Sequence, residues 1–169
     1  FPIGLDVEEF QRLASTRDAV EIYETMVEQY SKRRVLLGVD RLDYSKGLPQ
    51  RIRAFRHLLE RYPENQMSAT LIQIASPSRE SVQAYNDIRV ELDGLCGSLN
   101  GDFGELDWMP VRYIHRTVSR RRLPGLHRVA KVALVTPLRD GMNLVAKEYV
   151  VSQDAADPGV LVLSRFAGA

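Results

Sequence analysis

The 169-residue sequence predicts an α/β domain, a doubly wound parallel sheet with helices on both faces. Two observations carry this. Short β-branched runs that are apolar on both faces recur along the chain, and nearly every pair of them is separated by a segment with apolar residues every three or four positions. The first pattern belongs to strands covered on both sides, the second to amphipathic crossover helices.

In chain order, residues 18–30 place Ala19, Val20, Tyr23, Val27 and Tyr30 on one helical face. Val35 to Val39 reads as a buried strand. Leu48 to Tyr62 repeats Leu48, Ile52, Phe55, Leu59 and Tyr62 at helical spacing, with Pro49 in the first turn and Pro63 as a stop. Thr70 to Ala75 is the next strand, and Ser81 to about Leu95 a helix bearing Val82, Tyr85, Ile88, Leu92 and Leu95. Gly97 to Asp107 is expected to be a polar loop. A short strand follows at Val111 to Ile114, then a helix from Ser119 to Val129 weakened by Pro124-Gly125. Val132 to Thr136 is a strand, Leu144 to Gln153 a helix, and Val160 to Leu163 the last strand. No repeat or linker divides the chain, so residues 1–169 are read as one domain.

Composition narrows the function. The 23 Lys+Arg against 22 Asp+Glu leave a net charge of +1, which gives no general attraction to nucleic acid or an anionic membrane. Arg116, Arg120-Arg121-Arg122 and Arg128 form a local basic cluster, but without interleaved aromatics. No apolar run approaches the ~20 residues of a membrane span, and no leader pattern is visible. The single cysteine, Cys96, excludes an internal disulfide and reads as a small apolar core residue. His115 has no Asp, Glu or His at metal-ligand spacing and reads as a hydrogen-bonded loop residue. The expected compartment is cytoplasmic. The chain opens at Phe1-Pro2 without methionine and closes at Ala169 just after a strand, which suggests a part of something longer.

Open α/β sheets bind ligands beyond the carboxyl ends of their strands, here residues 40–47, 76–80, 115–118, 137–143 and 164–168. In Asp40-Arg41-Leu42-Asp43-Tyr44-Ser45-Lys46-Gly47, two cations stand between a strand and a helix start. They either bind a phosphate or diphosphate with the helix amides, or pair with Asp40 and Asp43. The loop lacks the glycine spacing of a Walker A motif. Arg79 offers a second anion contact or a structural one. In Arg139-Asp140-Gly141-Met142-Asn143-Leu144-Val145, Gly141 permits close approach or positive φ, and the amides of residues 142–145 open a helix. Asp140 either accepts from sugar hydroxyls or caps the helix. Glu148, one turn on, suits a ribose diol or a surface pair.

These stretches, with Phe1-Pro2-Ile3-Gly4 and Gly159 to Ala169, resemble the trehalose-6-phosphate synthase family, glycosyltransferase family 20, along the whole chain. The resemblance implies the donor-binding half of a GT-B enzyme built from two facing Rossmann-like domains, with the acceptor-binding domain preceding Phe1. It implies transfer of glucose from UDP-glucose to glucose 6-phosphate with retention, without a metal, a cofactor or a protein nucleophile. Arg41 and Lys46 would hold the diphosphate and stabilise the leaving group. Asp140, Gly141, Met142, Asn143, Leu144 and Val145 would hold the donor glucose and diphosphate. Glu148 would take the ribose, and the segment around Val118 and Leu123 the uracil. Arg79 would reach the acceptor phosphate. Expected partners are therefore the two substrates, the preceding domain and, as an option, further copies of the chain.

Pro124-Gly125 departs from the smoother helix usual in the family, which leaves UDP, GDP and ADP open as the donor nucleotide. Other phosphorylated acceptors, as in glucosylglycerol-phosphate synthase or the pseudo-glycosyltransferases, and a non-catalytic nucleotide-binding module remain the alternatives.

Overall fold

A computed structural model describes residues 4–78 and 83–169. Five parallel strands lie in the order β3-β2-β1-β4-β5, with β1 (Arg34–Arg41) at the centre, β2 (Ala69–Ser76) and β3 (Val111–Ile114) on one side, and β4 (Val132–Val135) and β5 (Val160–Leu163) on the other. The chain steps outward from β1 to β3, then returns to the other side of β1. The order therefore reverses between β1 and β4, which opens a crevice at their carboxyl ends.

Alternation along β1 decides what packs where. Val35 and Leu37 face a core built with Met26, Tyr30, Leu126, Ala130 and Tyr149 from α2 (Arg17–Gln29), α5 (Leu123–Val129) and α6 (Leu144–Ser152). Leu36 faces the opposite core, with Leu48, Ile52, Phe55 and Leu59 of α3 (Leu48–Arg61) and Leu92, Cys96 and Leu99 of α4 (Gln83–Phe103). Both faces of the central strand are covered, as its sequence requires. His127, 1% exposed, stacks on Phe10, and burial pushes its imidazole down to about 4, so it sits in the core as a neutral ring.

Four expectations change. Residues 97–103 are helix rather than loop, because Leu92, Cys96, Leu99 and Phe103 keep facing the core while Gly94, Gly97 and Gly101 point into open space. Packing outweighs the low helix propensity of glycine. Asn100 then joins this helix to β3, donating to the Val111 carbonyl and accepting from the Val111 amide, both at 2.9 Å. Second, α5 begins at Leu123 rather than Ser119. Pro124 occupies its first turn, and a side chain at Gly125 would stand 2.2 Å from the Ala19 carbonyl, so the Pro-Gly pair starts the helix and lets α2 approach.

Third, the sequence reading passes over a helix, α1 (Val7–Ala14), whose start is capped by Asp6 accepting from the Glu9 amide at 2.8 Å and whose Phe10 is fully buried. Fourth, β5 is an edge strand with Val160 and Val162 exposed rather than a strand covered on both faces. The start expected for the α4 helix, at Ser81, lies outside the described residues. No helix among the described residues is long and apolar enough to cross a membrane.

Candidate functional site

The site forms where β1 and β4 part. After Arg41 the Asp43 carboxylate accepts from the Ser45 amide at 2.8 Å and the Ser45 hydroxyl at 2.7 Å, which folds Tyr44–Lys46 into one 3-10 turn. Tyr85 of α4 donates to the other Asp43 oxygen at 3.2 Å. Burial raises the Asp43 carboxyl, but these bonds and the Lys46 charge outweigh it and hold the group below its usual 3.8. Gly47 ends the turn at φ +65°, where a side chain would also meet the Thr136 carbonyl at 2.8 Å. Glycine is required there on both counts. This tight turn leaves Lys46 only 8% exposed and directs it across the crevice.

The facing loop runs from Pro137 to Asn143. Leu138 donates its amide to the Ser45 carbonyl at 2.8 Å, and Asp140 to the Phe166 carbonyl at 2.9 Å. Gly168, also at φ +65°, backs the loop, since a side chain there would stand 2.6 Å from the Gly141 carbonyl. Asn143 is the helix cap, its side-chain oxygen accepting from the Ala146 amide at 3.1 Å. Its amide nitrogen donates to Asp140 at 3.1 Å. The amides of Leu144 and Val145, the first two of α6, have no helical partner and border the crevice.

Lys46 and Asp140 meet across the gap, Nζ to Oδ2, at 2.6 Å. The Asp140 carboxyl is pushed up by burial. It is pulled down more strongly by the bonds from Lys46 and Asn143, the Lys46 charge and the Gly141 amide, so it stays ionised below the usual range. The result is a cavity of about 330 Å³ lined by Val39, Asp40, Arg41, Lys46, Ser76, Asp140, Met142, Asn143, Leu144 and Val145. That is the lower end of small-molecule sites.

The alternatives left by the sequence separate here. Lys46 pairs with Asp140 and not with Asp40 or Asp43; Asp40 is held by Arg51, and Asp43 by Ser45 and Tyr85. Arg41 is exposed, and among the described residues no carboxylate pairs with it. Asp140 is not the helix cap. Gly141 has no positive φ, and a side chain there would meet nothing within 4 Å.

Arg41, Lys46, Asp140, Met142, Asn143, Leu144 and Val145 converge on one cavity, and Gly141 borders it through its bond to Asp140. Glu148, Val118 and Leu123 lie outside it. Glu148 is half-buried one turn into α6, its carboxyl raised by burial and partly offset by Arg120. Val118 borders a separate apolar cavity with Ile74, Ile114 and Leu126, and Leu123 opens α5. Arg79 lies outside the described residues.

His115 is a loop histidine whose Nδ1 lies 3.1 Å from the Ala75 carbonyl, and burial pushes the Cys96 thiol up to about 12. In the basic cluster, Arg120 pairs with Glu9, and Arg128 with Asp154 over the Tyr23 ring. Among the described residues, no cluster of three or more His, Cys, Asp or Glu is placed to hold a metal. Sequence reasoning missed Gly47 and Gly168 as left-handed positions and Asp43 as the organiser of the turn. An acid two residues before a serine signals the Asp43 turn; nothing local signals Gly168.

Known proteins match this chain along its whole length. The trehalose-6-phosphate synthase of Sinorhizobium fredii is 49% identical over 172 residues, covering 100% of this chain and 36% of the relative. One from Escherichia coli is 47% identical over 169 residues, covering 100% of the chain and 35% of the relative. The chain thus spans about a third of the length of these curated relatives. A solved UDP-forming α,α-trehalose-phosphate synthase from Burkholderia xenovorans, in complex with glucose-6-phosphate, superposes with a TM-score of 0.95 at 51% identity, covering 100% of this chain and 37% of that one. An E. coli trehalose-6-phosphate structure bound with UDP-2-fluoro glucose gives 0.93 at 46%, covering 99% and 37%. The family model for glycosyltransferase family 20 matches residues 1–169, and the chain belongs to that family.

Proposed function

We propose that this chain supplies the donor side of a retaining glucosyltransferase that moves glucose from UDP-glucose to glucose 6-phosphate. The products are trehalose 6-phosphate and UDP. The observation that carries the reading is the crevice between β1 and β4, where Arg41, Lys46 and the open amides of α6 surround one cavity. Each is a donor or a positive charge, as a diphosphate requires. In this reading the diphosphate displaces or shares the Lys46 contact to Asp140, which frees the carboxylate to accept from hydroxyls of the donor glucose.

As the bond from the anomeric carbon to the phosphate oxygen breaks, negative charge grows on the departing UDP beside Arg41 and Lys46. The acceptor oxygen bonds to the same carbon from the leaving-group side, and its proton passes to the departing phosphate. The two cations neutralise the leaving group, so no metal and no protein nucleophile is assigned. In this reading Glu148 would take the ribose and the Val118–Leu123 segment the base. Acceptor recognition belongs to a second, facing domain of a longer protein, as the fractional coverage of the relatives suggests. The reading implies a soluble, cytoplasmic enzyme.

Calorimetric titration with UDP, GDP and UDP-glucose tests this, using the chain and an Arg41→Ala/Lys46→Ala variant. The expected result is binding of UDP and UDP-glucose that the variant loses. Equal binding by the folded variant would remove the diphosphate site from this crevice.

A further inference from the structure

Behind the cavity wall lies a polar cluster that the donor site does not use. Arg51, in the first turn of α3, is 3% exposed and points at the underside of the strand ends. Its Nη1 bonds the Asp40 carboxylate of β1 at 2.5 Å and the Gln73 side chain of β2 at 2.8 Å. Its Nε donates to the Thr136 hydroxyl, just past β4, at 3.0 Å. Gln73 is fully buried and also donates to Asp40, at 3.3 Å. Space for the guanidinium is made by Gly38, where a side chain would stand 2.4 Å from Arg51 Nη1 and 2.3 Å from the Gln73 oxygen.

The placement matters because the sheet is weakest there. The β1–β4 ladder pairs Leu36 with Val132 and Leu37 with Ala133, and then the strands part to form the crevice. By contrast β1 pairs with β2 along its whole length, Arg34 with Ala69 through Arg41 with Ser76. Beyond Leu37, among the described residues, side chains and loops join the two sides of the crevice in place of a ladder. The amides of Leu138 and Arg139 reach Ser45 at its outer rim, and Arg51 bridges its floor.

Ionic burial of this kind is a poor way to gain stability, since apolar residues of the same volume do as well. Arg51 Nη2 also meets no acceptor, so packing alone does not account for the arrangement. What it provides is a rigid fork with directional bonds to β1, to the middle of β2 and to the residue just past β4.

We propose that Arg51 is a positioning residue for the site, holding the ends of β1 and β4 at the spacing that lets Lys46 and Asp140 meet. Asp40 immediately precedes Arg41, and Thr136 opens the loop that carries Asp140, so both halves of the site hang from its bonds. The role of Arg51 in setting the Lys46–Asp140 geometry stands on these distances alone. Its effect on ligand rests on the donor-site reading.

Two variants test it without changing net charge. Thr136→Val keeps the volume and removes only the bond to the β4 side. Arg51→Lys keeps the charge and loses the fork. The Asp140 carboxylate is titrated by NMR in the ligand-free chain, and UDP affinity is measured by calorimetry, with thermal melts to establish folding. Asp140 faces Lys46, Asn143 and the Gly141 amide, and neither variant alters those groups, so its midpoint reports their spacing.

Both variants are expected to raise the Asp140 midpoint toward the usual carboxylate value and weaken UDP by about fivefold, and the double variant to be no worse than Arg51→Lys alone. An unchanged midpoint in folded Thr136→Val and Arg51→Lys chains would overturn the proposal and leave Arg51 a core residue. If the unaltered chain binds no UDP, the donor-site reading fails, while the Asp140 titration still decides this one.

Discussion

The two ends of the sheet hold cavities of opposite character. At the amino ends of β2 and β3, Gln29, Tyr30, Arg33, Thr70, Trp108 and Arg112 border an open space of about 650 Å³, roughly twice the volume of the crevice between β1 and β4. Its two arginines are held by neighbours: Arg33 pairs with Asp107 at 3.0 Å, and Arg112 donates to the Tyr30 hydroxyl at 2.8 Å. The smaller crevice has a guanidinium with no carboxylate among the described residues, an ammonium held at the rim and two free helix amides. Volume does not identify a site. What sets the smaller crevice apart is the convergence of cations and open helix amides, and a parallel sheet concentrates such groups at its carboxyl end, where helices begin.

The sharpest way to break this comparison is to delete charges at both ends. Arg41→Ala/Lys46→Ala is expected to cost about a thousandfold in UDP affinity, the value of two charge-assisted contacts. Arg33→Ala/Arg112→Ala is expected to change it by less than about twofold. Calorimetry on both variants decides, and a comparable loss from the amino-end pair would erase the distinction.

Backbone comes next. Gly47→Ala is expected to lower stability by about 2 kcal/mol in urea unfolding, because it meets both positive φ and the Thr136 carbonyl. Gly141→Ala separates binding from folding. With nothing within 4 Å of the new methyl group, stability should move by less than about 0.5 kcal/mol, while UDP affinity falls about tenfold as the methyl group stands where the ligand approaches. A stability loss like that of Gly47→Ala would show that the loop is packed more tightly than the geometry implies.

Acid distinguishes the ends less strongly. The Asp140 and Asp43 carboxyls are held below their usual 3.8 in the folded chain, so the unfolded chain takes up protons first. Their contribution to stability is complete above that value and is lost as pH falls through the depressed folded values. Asp140→Asn should flatten the acid limb of a stability profile measured from pH ~6 to pH ~2. The smallest effect is expected from Arg33→Ala alone, about 0.5 kcal/mol or less by thermal melting, since its partner Asp107 is 72% exposed.

Much of this was legible in the sequence, for a local reason. Strand and helix periods are written in consecutive residues, so β3 and β5 stand where Val111 to Ile114 and Val160 to Leu163 indicate. The loops that follow β1 and β4 could be singled out because parallel sheets place ligands at that end. Helix extent was harder to read, because it depended on what a face packs against. The glycines at 97 and 101 suggested a loop until Leu99 and Phe103 found a core to join.

Partner choice was not legible at all. From the sequence, Lys46 had Asp43 three residues away, and Asp140 had a helix start to cap. The fold gave each the other across a separation of 94 positions, and gave the cap to Asn143. Nothing in the helical period of Leu48 to Tyr62 singled out Arg51, yet α3 lies so that its side chain bonds to β1, β2 and the residue just past β4, in space left by Gly38. Sequence by itself determined the five strands, their order along the chain and the end of the sheet where the candidate site was expected, because those follow from local sterics and hydrophobic period. The tertiary structure alone decided which charges are spent and which are free, because an ion pair depends on distances that only the closed sheet defines.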